Sequence, residues 1–298
     1  MSARSYAGPA AFRRALTDKL SGVAQSGKWS LPHLQRQIAY DRLLERLYAI
    51  DDGWVVKGAT ALLARDLGVR ASLDVDVFRA AALEIAERGL REAAVLDLGD
   101  WFVFEAGAAH QADDGAAGLR VPMRALVGPT DWARFHVDLV GDDVTMIGTP
   151  EQMPALARVT MPDVEQGGYR VYPLVDHIAD KITATFDRYG KFRSPSTRYK
   201  DLIDLVAIAS AASVDAETQI VALRSEAKRR SVELPVVFRV PDREAWKRGY
   251  EAEAARSLLA VATTLEEALE LMSSFADPLL GGSARGAWDP GAGTWALN

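Results

Sequence analysis

Cysteine is absent from this 298-residue chain, and histidine occurs only four times. Without cysteine, the chain has no disulfides, no zinc site built from thiolates and no cysteine nucleophile. No apolar run approaches the roughly 18 residues that a membrane-spanning helix needs. The N-terminal segment carries basic residues but has no apolar core behind them, unlike a secretory signal. We therefore expect a cytoplasmic protein without a membrane partner.

An excess of positive charge is also absent, because 35 lysines and arginines stand against 41 acidic residues, a formal net charge of -6. A uniformly negative surface repels nucleic acid, so an RNA partner would need a local basic patch. One candidate patch spans residues 188–200. Its basic side chains, with aromatic residues between them, are Arg188, Lys191, Arg193, Arg198 and Lys200. Cations bind phosphates and aromatic rings stack on unpaired bases, so this patch is either an RNA contact or a solvated charged face.

Apolar periodicity predicts an α+β protein, with helices and strands in the N-terminal part and a mostly helical C-terminal part. The predicted helices are 10–24, 31–50, 59–68, 80–93, 175–189, 199–212, 216–230 and 252–275. The predicted strands are 54–58, 72–78, 100–107, 134–141 and 169–174, with a loop over 107–118. We expect N-terminal helices plus an α/β core over 1–160, a mainly helical domain over 161–280, and a mobile glycine-rich tail over 281–298.

Two aspartates interrupt the apolar strand at 72–78. Residues i and i+2 of a strand point to the same face, so Asp74 and Asp76 lie side by side. Neighbouring carboxylates repel unless a cation lies between them, and Mg²⁺ prefers such oxygen ligands. Asp138, inside another apolar strand, is the candidate third ligand, although Asp142 and Asp143 follow closely. The simpler interpretation is a set of solvated aspartates on strand faces.

A lysine and a glycine end the strand at 54–58, just before a predicted helix. Glycine lets backbone N–H groups approach a phosphate closely, and the start of a helix favours an anion. Lys57 and Gly58 are therefore candidate phosphate contacts. The order strand, glycine, helix, strand is expected to bring Gly58 and the aspartate pair to one rim.

These residues belong to a longer pattern in two halves. The first half, Lys-Gly-x-x-x-Leu followed by Arg-x-Ser-x-Asp-hydrophobic-Asp, is formed by Lys57, Gly58, Leu62, Arg70, Ser72, Asp74 and Asp76. The second half is formed by Lys181, Ala184, Arg188, Arg198, Asp201, Asp204 and Leu205. Over about 54–208 the pattern resembles the signature of the AbiEii/AbiGii-type nucleotidyltransferase toxins, which include the mycobacterial MenT toxins. Ala59 departs from the family, which usually has glycine or serine there.

The resemblance implies a DNA polymerase β-like nucleotidyltransferase core with a mixed sheet, which depends on Mg²⁺. It also implies that the helical C-terminal domain completes the active site. Asp74 and Asp76 would hold the metal, and Asp138 would be its third ligand or the base. Lys181 and Asp201 would also be catalytic: Lys181 would offset charge on the triphosphate, and Asp201 would orient Lys181 or Arg188 or contact the nucleotide. Asp204 is either part of the active site or holds the helix packing. The residues expected around the nucleotide are Lys57, Gly58, Ala59, Arg70, Ser72, Lys181 and Arg188.

The resemblance further implies a toxin that transfers a nucleotide from an NTP to an RNA acceptor. The expected acceptor is the 3′ end of tRNA, whose modification blocks translation, and the expected protein partner is a cognate antitoxin. Two alternatives stay open. One is a nucleotidyltransferase that acts on a small molecule such as an antibiotic, and the other is a non-catalytic module that binds nucleotide or RNA.

Overall fold

The structure is a computed structural model that describes residues 5–112, 118–141, 144–157 and 159–296. The chain forms two compact units. The first unit comprises Met1–Ala64, Ser72–Val144 and Gln152–Val171, and the second comprises Arg65–Ala71, Thr145–Glu151 and Tyr172–Asn298. Each unit is therefore assembled from segments that alternate along the chain.

The first unit combines helices with a mixed sheet. Its helices are α1 (Pro9–Ser26), α2 (Leu31–Ile50), α3 (Gly58–Ala64) and α4 (Leu83–Ala94). The strands of the sheet are β1 (Trp54–Val56), β2 (Asp74–Arg79), β3 (Phe102–Ala106), β4 (His110–Gln111), β5 (Gly118–Val127), β6 (Thr130–Val140), β7 (Glu151–Met153) and β8 (Tyr169–Val171). Within the described residues the strand order is β3-β5-β6-β2-β1-β8-β7, and β4 pairs with β5. β2 runs parallel to β6 but antiparallel to β1, so the sheet is mixed, as predicted.

One face of this sheet is packed, and the other face is half open. On β2, Val75 and Val77 are fully buried in a core that includes Leu43 of α2. Asp74 and Asp76 alternate with these valines and are only partly buried. Because successive side chains of a strand point to opposite faces, the aspartates lie on the half-open face. The predicted direction of the pair is confirmed.

Strand β5 is the main element of the sheet that the sequence pattern did not predict. The expected loop over 107–118 instead contains the short strand β4, and residues 113–117 lie outside the described ranges. Pro122 lies inside β5, and proline is rare within strands because it donates no ladder hydrogen bond. Val121, Met123 and Ala125 are buried and alternate with the partly exposed Pro122 and Arg124. This alternation of apolar residues is the sequence signal that would have identified β5.

A buried carboxylate on α2 fixes the loop after β7. Asp41 Oδ1 accepts hydrogen bonds from the backbone N–H of Leu156 and the hydroxyl of Tyr169, both at 2.9 Å. Its Oδ2 accepts from the backbone N–H of Ala157 at 2.7 Å. Burial raises the pKa of Asp41 to about 6, against the opposing effect of these hydrogen bonds. Nothing in the local sequence pattern indicates this contact.

The second unit is mainly helical, as predicted. Its helices are α5 (Leu174–Phe186), α6 (Tyr199–Ala211), α7 (Ala216–Arg230), α8 (Arg243–Ala254) and α9 (Leu265–Leu280). Two hairpins are formed by β9 (Arg188–Tyr189) with β10 (Ser194–Pro195), and by β11 (Ala287–Asp289) with β12 (Thr294–Ala296). None of the helices in the described part of the chain combines the length and the apolar composition needed to cross a membrane.

Two predictions for the C-terminal part are wrong. The single helix expected over 252–275 is two helices, because Thr264 forms a capping box with Glu267 and starts α9 afresh. The glycine-rich segment expected to be a mobile tail forms the β11–β12 hairpin. Trp288 of this hairpin is buried, packs against Phe275 at 5.0 Å between ring centroids, and donates a hydrogen bond to the carbonyl oxygen of Ala209 at 2.7 Å. Burial of a large aromatic ring thus anchors the segment.

Candidate active site

Two rows of side chains cross the half-open face of the sheet in the first unit. Strand register pairs Asp76 with Asp138 across β2 and β6, and pairs Arg120 with Asp138 across β5 and β6. The neighbouring row pairs Asp74 with His136. Partners in register present their side chains on the same face. The three aspartates predicted as metal ligands therefore share one face, together with an arginine and a histidine.

Arg120 and Asp138 form a two-pronged ion pair. Arg120 Nε donates to Asp138 Oδ1 at 2.7 Å, and Arg120 Nη2 donates to Asp138 Oδ2 at 2.6 Å. The same Nη2 lies 3.7 Å from Asp74 Oδ2, while Nδ1 of His136 lies 3.1 Å from Asp74 Oδ1. Both oxygens of Asp138 are thus engaged by an arginine that sequence reasoning did not find. The alternative third carboxylates, Asp142 and Asp143, lie outside the described residues.

Gly58 brings the start of α3 into contact with Asp76. Its φ of +61° lies in the left-handed region that favours glycine. A Cβ atom at residue 58 would fall 1.8 Å from Asp76 Oδ2, so this position has no room for a side chain. The backbone N–H of Lys57 donates to the carbonyl oxygen of Asp76 at 2.8 Å. Lys57, Gly58, Ala59 and the aspartate pair thus meet at one end of β1 and β2, and the nucleotide-binding role of the first three stays a prediction.

The donor set can be compared with the needs of a divalent cation. The carboxylates of Asp74 and Asp76 are oxygen ligands of the kind that Mg²⁺ prefers. Asp138 also offers carboxylate oxygens, but its ion pair with Arg120 competes with a cation. Among the described residues, no three histidine or acidic side chains are arranged to hold a metal ion. The metal set of Asp74, Asp76 and Asp138 therefore stays a prediction.

Ser72 precedes the strand instead of lying on it, because β2 begins at Asp74. Its hydroxyl donates to the carbonyl oxygen of Asp74 at 2.7 Å. Its own carbonyl oxygen accepts a hydrogen bond from the hydroxyl of Tyr40 at 3.1 Å. The buried side chain of Ser72 thus shapes the entry into β2, and its predicted contact with nucleotide stays a prediction.

A second charged cluster lies within the second unit. Lys181 of α5 donates to Asp201 Oδ1 at 2.9 Å and to Asp204 Oδ2 at 2.7 Å, both on α6. Arg70 donates two hydrogen bonds to Asp204, from Nε to Oδ1 at 2.9 Å and from Nη2 to Oδ2 at 2.7 Å. Arg198 Nε donates to Asp201 Oδ2 at 2.5 Å. The cluster therefore joins three cations to two carboxylates.

Burial and pairing act against each other on the charges of this cluster. Burial alone favours the neutral form of each group. Burial disfavours the ammonium of Lys181, but Asp201 and Asp204 outweigh it and hold the pKa of Lys181 above its usual value. Burial likewise disfavours the two carboxylates, but the neighbouring cations hold the pKa of Asp201 and of Asp204 below the usual range. All three groups are therefore charged at neutral pH, and the Asp201 and Asp204 carboxylates together bind the Lys181 ammonium group.

The predicted basic patch is divided by the structure. Arg198 belongs to the buried cluster and also lies over the ring of Tyr189, 5.7 Å from its centroid. The other cations, Arg188, Lys191, Arg193 and Lys200, are exposed. Three of them lie on the β9–β10 hairpin, where Phe192 at the tip is 88% exposed. Arg188 Nη1 donates to the carbonyl oxygen of Arg193 at 3.0 Å and closes the hairpin.

The sequence and the fold were compared with those of known proteins. The model of a family described as "Nucleotidyl transferase AbiEii toxin, Type IV TA system" matches residues 42–271. The comparison with curated proteins gave no significant match.

Two similar solved structures come from bacteria. One is MenT4, a nucleotidyltransferase toxin of Mycobacterium tuberculosis H37Rv, with a TM-score of 0.52 and 16% identity over 91% of this chain and 98% of that chain. The other is JHP933 of Helicobacter pylori, with a TM-score of 0.43 and 16% identity over 83% of this chain and 90% of that chain. At this identity the MenT4 likeness supports the fold alone.

Proposed function

Because the chain belongs to the AbiEii family of nucleotidyltransferase toxins, we propose that it transfers a nucleotide from an NTP to RNA. The acceptor we propose is the 3′ end of tRNA, and the consequence is a block of translation. The observation that carries the proposal is the aspartate pair on β2, with Asp76 packed against Gly58 and in register with Asp138. Paired carboxylates beside a glycine turn are suited to a metal-bound triphosphate.

The reaction we propose is an in-line displacement at the α-phosphate of the NTP. The acceptor hydroxyl oxygen forms a bond to the α-phosphorus, the bond from that phosphorus to the β-phosphate oxygen breaks, and pyrophosphate leaves. Asp74 and Asp76 would hold Mg²⁺, which supplies positive charge to the reacting phosphate when bound. Asp138 would complete that site or accept the proton of the hydroxyl. Lys57 would offset negative charge on the triphosphate.

The roles proposed for the second unit follow the family pattern. Lys181, Asp201, Arg70 and Arg188 would contact the nucleotide or orient a group that does. The pairing of Lys181 with both Asp201 and Asp204 supports a fixed orientation of its ammonium group. Asp204 is more deeply buried than Asp201, which supports a positioning role for it.

The β9–β10 hairpin is the RNA contact that we propose. Exposed cations at Arg188, Lys191 and Arg193 would bind phosphates, with Lys200 nearby along the chain. Phe192 offers its ring to an unpaired base, because almost the whole side chain is open to solvent. A cytoplasmic location and a cognate antitoxin protein complete the proposal, on the strength of the family.

A labelling experiment tests the proposed activity. The purified protein is incubated with bacterial tRNA, Mg²⁺ and each α-labelled NTP in turn, beside the variants Asp76→Asn and Asp131→Asn. Asp131 is an exposed residue of the same sheet that pairs with Arg134 at 3.0 Å, so its variant controls for loss of one carboxylate. We expect label in tRNA from wild type and Asp131→Asn, and none from Asp76→Asn. Absence of label with all four nucleotides would reject tRNA as acceptor, and small-molecule acceptors would then be tested.

A further inference from the structure

Arg120 is an ion-pair partner of the carboxylate row on the sheet. Its guanidinium occupies both oxygens of Asp138 and approaches Asp74 to 3.7 Å. The three residues sit on a half-open face: the exposed fractions of the side chains are 28% for Arg120, 18% for Asp138 and 33% for Asp74. Water and ions can therefore reach the pair, unlike the ion pairs inside the core.

The position of Arg120 offsets the electrostatic repulsion among the carboxylates of Asp74, Asp76 and Asp138. Three carboxylates on two neighbouring strands repel one another unless a positive charge is placed among them. A planar guanidinium suits this task, because its two N–H groups match the two oxygens of a carboxylate. The register places Arg120 directly opposite Asp138, in the row that also contains Asp76. The counter-charge is therefore built into β5.

The same pair conflicts with the binding of a cation by Asp138. The two-pronged guanidinium covers the edge of the carboxylate at which both oxygens could hold one cation, and its positive charge repels a cation that approaches the remaining lone pairs. Both oxygens of Asp138 are engaged at 2.6 and 2.7 Å. Metal binding through Asp138 therefore competes with the Arg120 ion pair.

We propose that Arg120 is a positioning residue that holds Asp138 in the metal-free site and is exchanged for a divalent cation when one binds. The inference rests on the proposed function, because it takes Asp74, Asp76 and Asp138 as the metal carboxylates. The exchange weakens the affinity of the free protein for the cation, since the ion pair competes with it. It also leaves the freed guanidinium on the face where the triphosphate is proposed to bind.

The exchange is tested by calorimetric titration of Mn²⁺ into the full-length protein without nucleotide. Arg120→Gln removes the competing charge, so Mn²⁺ affinity should rise about tenfold, in keeping with the strength of a charged hydrogen-bonded pair. Arg120→Lys keeps the positive charge, so its Mn²⁺ affinity should stay close to that of wild type, below that of Arg120→Gln. Arg124→Gln is the matched control, because Arg124 lies on the same strand and pairs with Glu105 at 3.0 Å. Its affinity should equal that of wild type.

Thermal unfolding gives a second measurement that does not depend on activity. Without metal, Arg120→Gln should melt below wild type, and added Mn²⁺ should raise its Tm by more than it raises the wild-type Tm. A merely structural role for Arg120 would lower the Tm equally with and without Mn²⁺, and that result would overturn the exchange. Equal Mn²⁺ affinity in wild type and Arg120→Gln would also overturn the exchange while leaving the proposed metal site standing. Failure of both proteins to bind Mn²⁺ would overturn the exchange and the metal site together.

Discussion

The carboxylate of Asp76 lies against the Cα atom of Gly58, so closely that a Cβ at residue 58 would fall 1.8 Å from Asp76 Oδ2. Gly58 also adopts a φ of +61°, which costs an L-residue about 1–2 kcal/mol. These are two separate demands on one position. The first concerns the geometry of the aspartate pair, and the second concerns the backbone alone.

Gly58→Ala is expected to abolish nucleotidyl transfer, because the added methyl group displaces the Asp76 carboxylate. Gly293→Ala is the control, since Gly293 has a φ of +66° and no atom within 4 Å of its would-be Cβ. Both variants should lose about 1 kcal/mol of unfolding free energy from the backbone, but only Gly58→Ala should lose activity. Urea unfolding and the labelling assay measure the two effects. An active Gly58→Ala enzyme would show that Asp76 need not hold its position.

Asp204→Asn is expected to destabilise the protein by about 3 kcal/mol, because it leaves Lys181 and Arg70 with a buried, unbalanced positive charge. Asp204 is 1% exposed, so water cannot compensate for the lost carboxylate. Asp131→Asn, in an exposed ion pair, should change stability little. Urea unfolding at neutral pH compares the two variants with wild type.

The stability difference between wild type and Asp204→Asn should decrease at acid pH. The pKa of Asp204 in the folded protein lies below the ordinary value of 3.8. Its stabilising contribution is therefore complete above pH 3.8 and is lost as the pH falls through the folded value. The stability difference between wild type and Asp204→Asn should shrink only in that acid range. A difference that already closed near pH 6 would contradict the assignment.

Asp41 should act with the opposite sign and in another pH window. Its folded pKa is about 6, above the ordinary 3.8, so the native state binds the proton more tightly than the unfolded chain. Its contribution to stability should therefore fall as the pH rises from about 3.8 to about 6, and stay level above that. Asp41→Asn cannot titrate, so the stability of wild type relative to this variant should decline between pH 4 and pH 6. Urea midpoints at several pH values measure the decline, and a flat difference would contradict it.

Phe192→Ala should weaken tRNA binding about tenfold, because stacking of one base on an aromatic ring contributes roughly 1–3 kcal/mol. The control is Val236→Ala, since Val236 is also an exposed apolar residue of the second unit.

Lys191→Ala should instead make tRNA binding less sensitive to salt. The slope of log affinity against log salt concentration should decrease in magnitude by about one. Fluorescence anisotropy with labelled tRNA, measured over a salt series, separates stacking from charge. Unchanged tRNA binding by both Phe192→Ala and Lys191→Ala would show that the RNA contact lies elsewhere.

Local pattern was enough to place the aspartate pair. Alternation along a strand fixes side-chain direction without any knowledge of distant residues, so Asp74 and Asp76 were predicted on one face and are found there. The mixed sheet was implied by the family resemblance, whereas the helical second unit was predicted from periodicity. Where proline lies inside a strand, as Pro122 does in β5, this signal weakens and the strand was missed.

Most partners distant in the chain could not be predicted. Arg120 meets Asp138 only through the register of β5 on β6, and Arg70 meets Asp204 across 134 residues of sequence. The resemblance implied that Asp201 orients Lys181 or Arg188, but neither it nor the spacing indicated that Asp204 would also bind Lys181. The buried Asp41 has no distinctive neighbours in sequence at all. Contacts of this kind depend on the whole fold.

The alternation of chain segments between the two units has a consequence for how the protein is made. The segment Arg65–Ala71 leaves the ribosome early, yet its partners come late: the carbonyl oxygen of Val69 accepts a hydrogen bond from the backbone N–H of Leu258 at 2.6 Å. The second unit therefore cannot complete its fold until most of the chain has been translated, and contacts of such long sequence separation form slowly. A nascent chain that has already presented Asp74 and Asp76 still lacks most of the second unit, so a partly synthesised toxin is an incomplete one.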